Sequence, residues 1–167
     1  MPSPRTLGLA GLTSLLSTGA LAQSPELPTA PYLPLDMALT AANAAMEACE
    51  ADGLRVTVAV VERGGATKVV LRSDNAGPHT VGSATGKAFA SASLGRDTAG
   101  VAASIAGNAE LEGLRGMDPR LVLLAGGLPI RVGDALVGGI GVGGAPSGTE
   151  DEACARAGVE TIGGTLG

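Results

Sequence analysis

The sequence predicts a small α/β domain of the mixed α+β kind, in which a mainly antiparallel five-stranded sheet carries helices packed on its faces. Three observations point there. Runs with a period of two alternate with runs at helical spacing, in the order α-β-β-α-α-β-β-β-α. The strand-like runs are joined by turns of hairpin length, whereas a parallel crossover needs a dozen residues or more. The apolar faces of both kinds of element then have to cover each other around one core.

Ahead of the domain, Met1 to Arg5 is short and basic, Leu7 to Leu21 is apolar, and Ala20-Leu21-Ala22 precedes Gln23. This pattern is a secretory signal with an A-x-A cleavage site, assigned to residues 1–22. Its apolar part spans only about 15 residues, diluted by Ser14, Ser17 and Thr18, where a bilayer span needs roughly 20. No stable membrane insertion is expected, and the mature chain is expected to be periplasmic or secreted. Residues 23–34 hold Pro25, Pro28, Pro31 and Pro34, which excludes helix and central strand and marks an extended linker. Residues 35–167 remain as a single domain, a length that buries roughly two-thirds of the unfolded surface in one core.

Within the domain, Leu35, Leu39, Ala42, Met46 and Cys49 recur at helical spacing, with Asp36 able to cap and Gly53 able to end the helix. Val56, Val58 and Val60 alternate with Arg55, Thr57 and Ala59, and Glu62-Arg63-Gly64-Gly65 supplies a turn before Lys68 to Arg72, so a hairpin with one buried face follows. Pro78 can open a second helix whose packed face is Val81, Ala84, Ala88 and Ser91. Gly95 closes it, and Thr98 to Asn108 forms a short helix of small residues. Three apolar runs, Leu121–Ala125, Leu128–Val132 and Ala135–Val142, then suit a meander, separated by Gly126-Gly127 and Gly133-Asp134. Thr149 and Glu152 form a capping box for the last helix, which carries Cys154, Ala157 and Val159. The first and last helices are expected side by side.

The formal net charge is −5, and loss of the signal segment with Arg5 makes it one unit more negative. With no block of Lys or Arg, nucleic acid and anionic membrane are poor partners. One Tyr (Tyr32), one Phe (Phe89) and no Trp leave the core to Val, Leu, Ile and Ala.

Gly139, Gly141 and Gly144 match G-x-G-x-x-G after a strand, yet a dinucleotide fold needs a following parallel strand and an acid about 20 residues on, for which the chain has no room. These glycines instead let a strand pass close to a helix, a subunit or a ligand. No G-x-S-x-G elbow and no C-x-x-C spacing occur. Cys49 and Cys154, on the first and last helices, pair in an oxidising compartment if those helices are neighbours, and otherwise act as small buried apolar residues. His79, the one histidine, starts a helix in the polar stretch Arg72 to Thr80. It reads either as a surface residue or as an axial ligand or hydrogen-bond donor to an acidic cofactor, with Arg72 and Lys87 as solvated cations or as carboxylate partners.

The stretches Val58 to Gly65, Lys87-Ala88, Gly126 to Ile130, Val137 to Gly144, and Asp151 to Gly158 with Cys154 resemble the GlcG/HbpS-like haem-binding family, related to the C-terminal domain of PduO-type proteins. The resemblance covers about Leu35 to Gly163. It implies a profilin-like sandwich, homo-oligomers, and binding of haem or, alternatively, a corrinoid. Many relatives carry an aromatic and a Thr after the matching lysine, whereas Phe89-Ala90 follows Lys87-Ala88 here. His79, Arg72, Lys87 and Phe89 are the candidate cofactor-binding residues, with His79 the candidate iron ligand. The expected function is an exported small-ligand binder that senses, stores or transports a tetrapyrrole. A small accessory enzyme acting on an organic acid or aldehyde, or a purely structural oligomer, is the alternative.

Overall fold

A computed structural model describes residues 26–165; the signal segment expected over residues 1–22 lies outside the described residues. Residues 26–34 form neither helix nor strand, but Leu33 is fully buried in the main core, so the linker's end belongs to the domain. Helix α1 spans Leu35–Ala51, strands β1 and β2 span Thr57–Glu62 and Thr67–Arg72, and helices α2 and α3 span Thr80–Leu94 and Thr98–Gly107. A 3-10 helix at Ala109–Gly116 leads to strands β3 (Gly127–Val132) and β4 (Ala135–Gly143) and helix α4 (Gly148–Thr161).

The sheet has four strands in the order β2-β1-β4-β3, every pair antiparallel. The expected fifth strand, Leu121–Ala125, does not form. Its backbone is taken by helices instead: Val122 N–H donates to Gly86 O at 3.4 Å, and Leu124 O accepts from Thr98 Oγ1 at 2.5 Å. Leu121 and Leu123 pack against Val101 and Ile105 of α3, so this apolar run closes a satellite core.

Helices cover both faces. On one, α1 and α4 lie side by side over Val58, Val60, Ile140 and Val142. On the other, α2 packs on Ala59 and Val61. Strand β1 is therefore buried on both faces rather than one, which places it centrally.

Small residues set the spacing of these layers. On α1 the buried face is Ala38, Ala41, Ala42, Ala45 and Cys49, whereas Leu35 and Leu39, expected inside, are exposed. The reason is close helix–helix approach: a Cβ on Gly158 of α4 would lie 3.1 Å from Ala45 Cβ and closer still to Ala41 O. Gly53, at φ +72°, ends α1 with Leu54 N–H donating to Cys49 O at 3.0 Å. The same economy of size governs the glycine strand. A Cβ on Gly139 would lie 2.6 Å from Ala92 N, and one on Gly141 2.5 Å from Ala88 N, so β4 meets the backbone of α2 with nothing between them.

Helix α2 begins at Thr80, two residues after Pro78, and Val81 is exposed while Ala84, Ala88 and Ser91 are buried. The capping box of α4 is Ser147 with Glu150 rather than Thr149 with Glu152. Cys49 and Cys154 form a disulfide between α1 and α4, with Cα atoms 5.5 Å apart.

Candidate functional site

Where β4 ends, Gly144-Ala145-Pro146-Ser147 carries the chain into α4 beside the start of α2. Between the two helix starts lies an open-sided cleft of about 400 Å³. Both helices begin at this cleft and point their positive dipole ends toward it, a setting that favours anions.

His79 sits at the rim, at the N-cap of α2, and its side chain makes no capping bond. The imidazole lies over Gly77, where a Cβ would be 2.6 Å from Cε1 and 2.9 Å from Nδ1. Glycine at this position is what leaves room for the ring. Arg72 holds the loop from below, its Nε donating to Ala76 O at 3.0 Å.

Lys87 lies two turns along α2 and is buried. Its Nζ donates to Val142 O at 2.8 Å and to Asp151 Oδ2 at 2.7 Å, while Asp151 Oδ1 accepts from Ala145 N–H at 3.0 Å. Burial pushes the Asp151 carboxyl above its ordinary range, against the opposing pull of Lys87 and the Ala145 N–H. This ion pair lies among the lining groups of the cleft and ties α2, β4 and α4 together. The remaining wall is apolar at Leu124, Ala125, Ala145 and Pro146, with hydroxyls from Thr80, Ser83 and Ser147.

Of the four residues singled out in the sequence, His79 and Lys87 share the cleft, whereas Arg72 and Phe89 do not line it. Arg72 buttresses the loop that presents His79. Phe89 lies on the other flank of α2, its ring under the Arg120 guanidinium at 4.0 Å. The residue missed was Asp151. Its signal is a lysine between Ala84, Ala88 and Ser91 on a helix of small residues, since a buried cation demands a carboxylate from elsewhere in the chain. Among the described residues no cluster of three His, Cys, Asp or Glu could hold a bare metal ion, and no helix is long and apolar enough to cross a membrane.

The geometry defines a three-layer α/β/α domain with one histidine at the rim of a cleft and a buried ion pair among its walls. The family model described as haem degrading protein HbpS-like matches residues 33–160, and the chain belongs to that family. HbpS of Streptomyces reticuli, solved as a double mutant, is 44% identical over 86% of this chain and 96% of its own, with a TM-score of 0.77. A second HbpS structure is 45% identical over 84% and 97%, also with a TM-score of 0.77. PduOC, solved in complex with haem, shares the fold at 23% identity, covering 81% of this chain and 99% of its own, with a TM-score of 0.75. None of the curated proteins matches the chain.

Proposed function

We propose that the protein is an exported binder of haem or a closely related tetrapyrrole, held in the cleft between the starts of α2 and α4, with His79 as the candidate iron ligand. One observation carries the reading: in a member of the HbpS-like family, the chain's one histidine stands at the rim of that cleft. Haem rather than a corrinoid is the ligand proposed, because the family is one of haem degrading proteins and PduOC, which shares the fold, is solved in complex with haem.

An iron tetrapyrrole would take His79 as the residue at its iron and would need donors for its carboxylates. The residues present fit those demands. Leu124, more than half exposed at the cleft, is apolar surface that a flat hydrophobic ligand covers. Ser83, with the two helix starts, offers a donor to carboxylates, whereas the Thr80 and Ser147 hydroxyls already donate to Gly77 O and Glu150 Oε2. Lys87 has its charge matched by Asp151, so it fixes the shape of the cleft rather than serving as a separate carboxylate partner. Binding is the step that sensing, storage and breakdown of haem have in common.

Export is supported by the N-terminal signal pattern and by the Cys49–Cys154 disulfide, a bond that persists in oxidising compartments. Assembly of several copies fits a cleft that is open on one side.

The test is a haemin titration of the mature protein followed at the Soret band, beside His79→Ala and an acidic control protein. A saturable stoichiometric band that shifts or weakens in the variant is expected. Because the His79 side chain makes no capping bond, the substitution leaves the fold intact and the spectrum reads ligation alone. The absence of any saturable band with the parent protein would sink the reading.

A further inference from the structure

Helix α2 has a second flank. Ala84, Ala88 and Ala92 pack on the sheet face, Thr80, Ser83 and Lys87 face the histidine cleft, and Gly82, Thr85, Gly86, Phe89 and Ser93 border two further cavities. At about 100° per residue, those two lining sets fall on opposite sides of the contact line with the sheet. The cavities measure about 220 and 270 Å³ and share Gly65, Phe89 and Arg120.

We infer that this flank is a second ligand site, separate from the histidine cleft, for a small flat aromatic monocarboxylate. Three features specify the chemistry. First, the Arg120 guanidinium lies 4.0 Å over the Phe89 ring, and Gly65, at φ +93°, brings the hairpin turn against that ring, since a Cβ there would be 3.0 Å from Cε2. A guanidinium stacked on a phenyl ring presents a flat surface on which a further ring stacks.

Second, Arg120 is matched in charge. Its Nε and Nη2 donate to the two oxygens of Asp118 at 3.0 and 2.7 Å, which leaves the Nη1 edge toward other acceptors. Third, Arg63 lines the same cavity and, among the described residues, has no carboxylate within ion-pair distance. One of its nitrogens, Nη1, is anchored to Ala92 O at 2.9 Å, which fixes the head beside α2 and leaves further donors. The nearby Glu62 carboxylate is turned back onto Ala66 N–H at 3.2 Å. One unmatched positive charge beside one stacking surface calls for one carboxylate on one ring.

Phe89 is the single phenylalanine of the chain, so ring-labelled phenylalanine gives one set of NMR signals at this site. The experiment titrates the mature protein with benzoate, and with cyclohexanecarboxylate, benzyl alcohol and acetate as probes lacking the flat ring, the charge or the ring altogether. Saturable movement of the Phe89 signals with benzoate is expected, at an affinity at least threefold above each of the other probes. Arg63→Gln and Arg120→Gln, both exposed substitutions, should each weaken benzoate at least fivefold. Arg156→Gln, a charge-matched change on α4, should not. The inference is overturned by movement that stays linear to the solubility limit, by acetate binding as well as benzoate, by full affinity in either of the two arginine variants, or by displacement of benzoate with one equivalent of zinc protoporphyrin.

Discussion

Lys87 Nζ stands 2.7 Å from Asp151 Oδ2 with both side chains about 4% exposed, which ties the middle of α2 to the first turn of α4. Breaking such a pair from one side strands a buried charge. Lys87→Met or Asp151→Leu alone should therefore cost about 3–5 kcal/mol in urea unfolding. The double variant should recover much of that loss, because two apolar side chains leave no charge to solvate. Equal losses in the singles and the double would show that packing, not charge, dominates here.

Two aspartates should respond to pH with opposite sign. Burial raises the Asp151 carboxyl above 3.8, so the folded chain takes up a proton before the unfolded chain does. The contribution of that group to stability consequently falls as pH rises from 3.8 through its folded midpoint. Asp118 is held down to about 2 by its hydrogen bonds to Arg120, so its contribution is present above 3.8 and is lost as pH falls toward 2. Carboxyl carbon NMR titration should place the two midpoints on opposite sides of 3.8, with Lys87→Met moving Asp151 higher still.

Half of the cleft was legible in the chain itself. His79 at a helix start, and Lys87 on the same helix, follow from local pattern. Asp151 did not, because an acid in the first turn of a helix is ordinarily explained by the helix dipole and solvent. Only the tertiary fact that α4 starts against β4 and α2 turns it into a counter-ion. Arg72 and Phe89 are close to His79 and Lys87 in sequence, yet the turn of the loop and the 100° step of the helix carry them elsewhere.

Gly141→Ala should be among the more damaging single-methyl additions. The new Cβ would meet Ala88 N at 2.5 Å and the Ala84 carbonyl closer still, and backbone on both sides cannot yield. A loss of about 1–3 kcal/mol or more is expected, since overpacking forces the layers apart. Gly107→Ala, at the end of α3 with nothing within 4 Å, should instead gain about 0.5–1 kcal/mol. Thermal unfolding of the two variants side by side separates the effects.

The element order and the antiparallel sheet were readable because turn chemistry and period-two runs are local signals. The count of strands was not. Leu121–Ala125 has the composition of a strand, but Thr98 Oγ1 takes Leu124 O and receives Gly127 N–H at 2.9 Å, so a side chain on α3 competes with the ladder. The packed face of α1 misled in the same way. Its leucines suggested the core, yet the face that meets Gly158 is that of Ala41 and Ala45.

The Cys49–Cys154 bond closes a sequence separation of 105 residues and joins the two helices that cover one face of the sheet. Its main effect in the chain-entropy account is on the unfolded state, where a loop of about 100 residues corresponds to about 4.7 kcal/mol at most. Replacing both cysteines by alanine should therefore lower stability by about 2–5 kcal/mol in urea unfolding. Cys154 lies three residues beyond Asp151 on α4, so the bond also holds the helix start that bears the Lys87 counter-ion. Reduction should accordingly raise hydrogen exchange at Ala145 N–H, which donates to Asp151. Unchanged exchange there, together with the stability loss, would confine the bond's role to the unfolded chain.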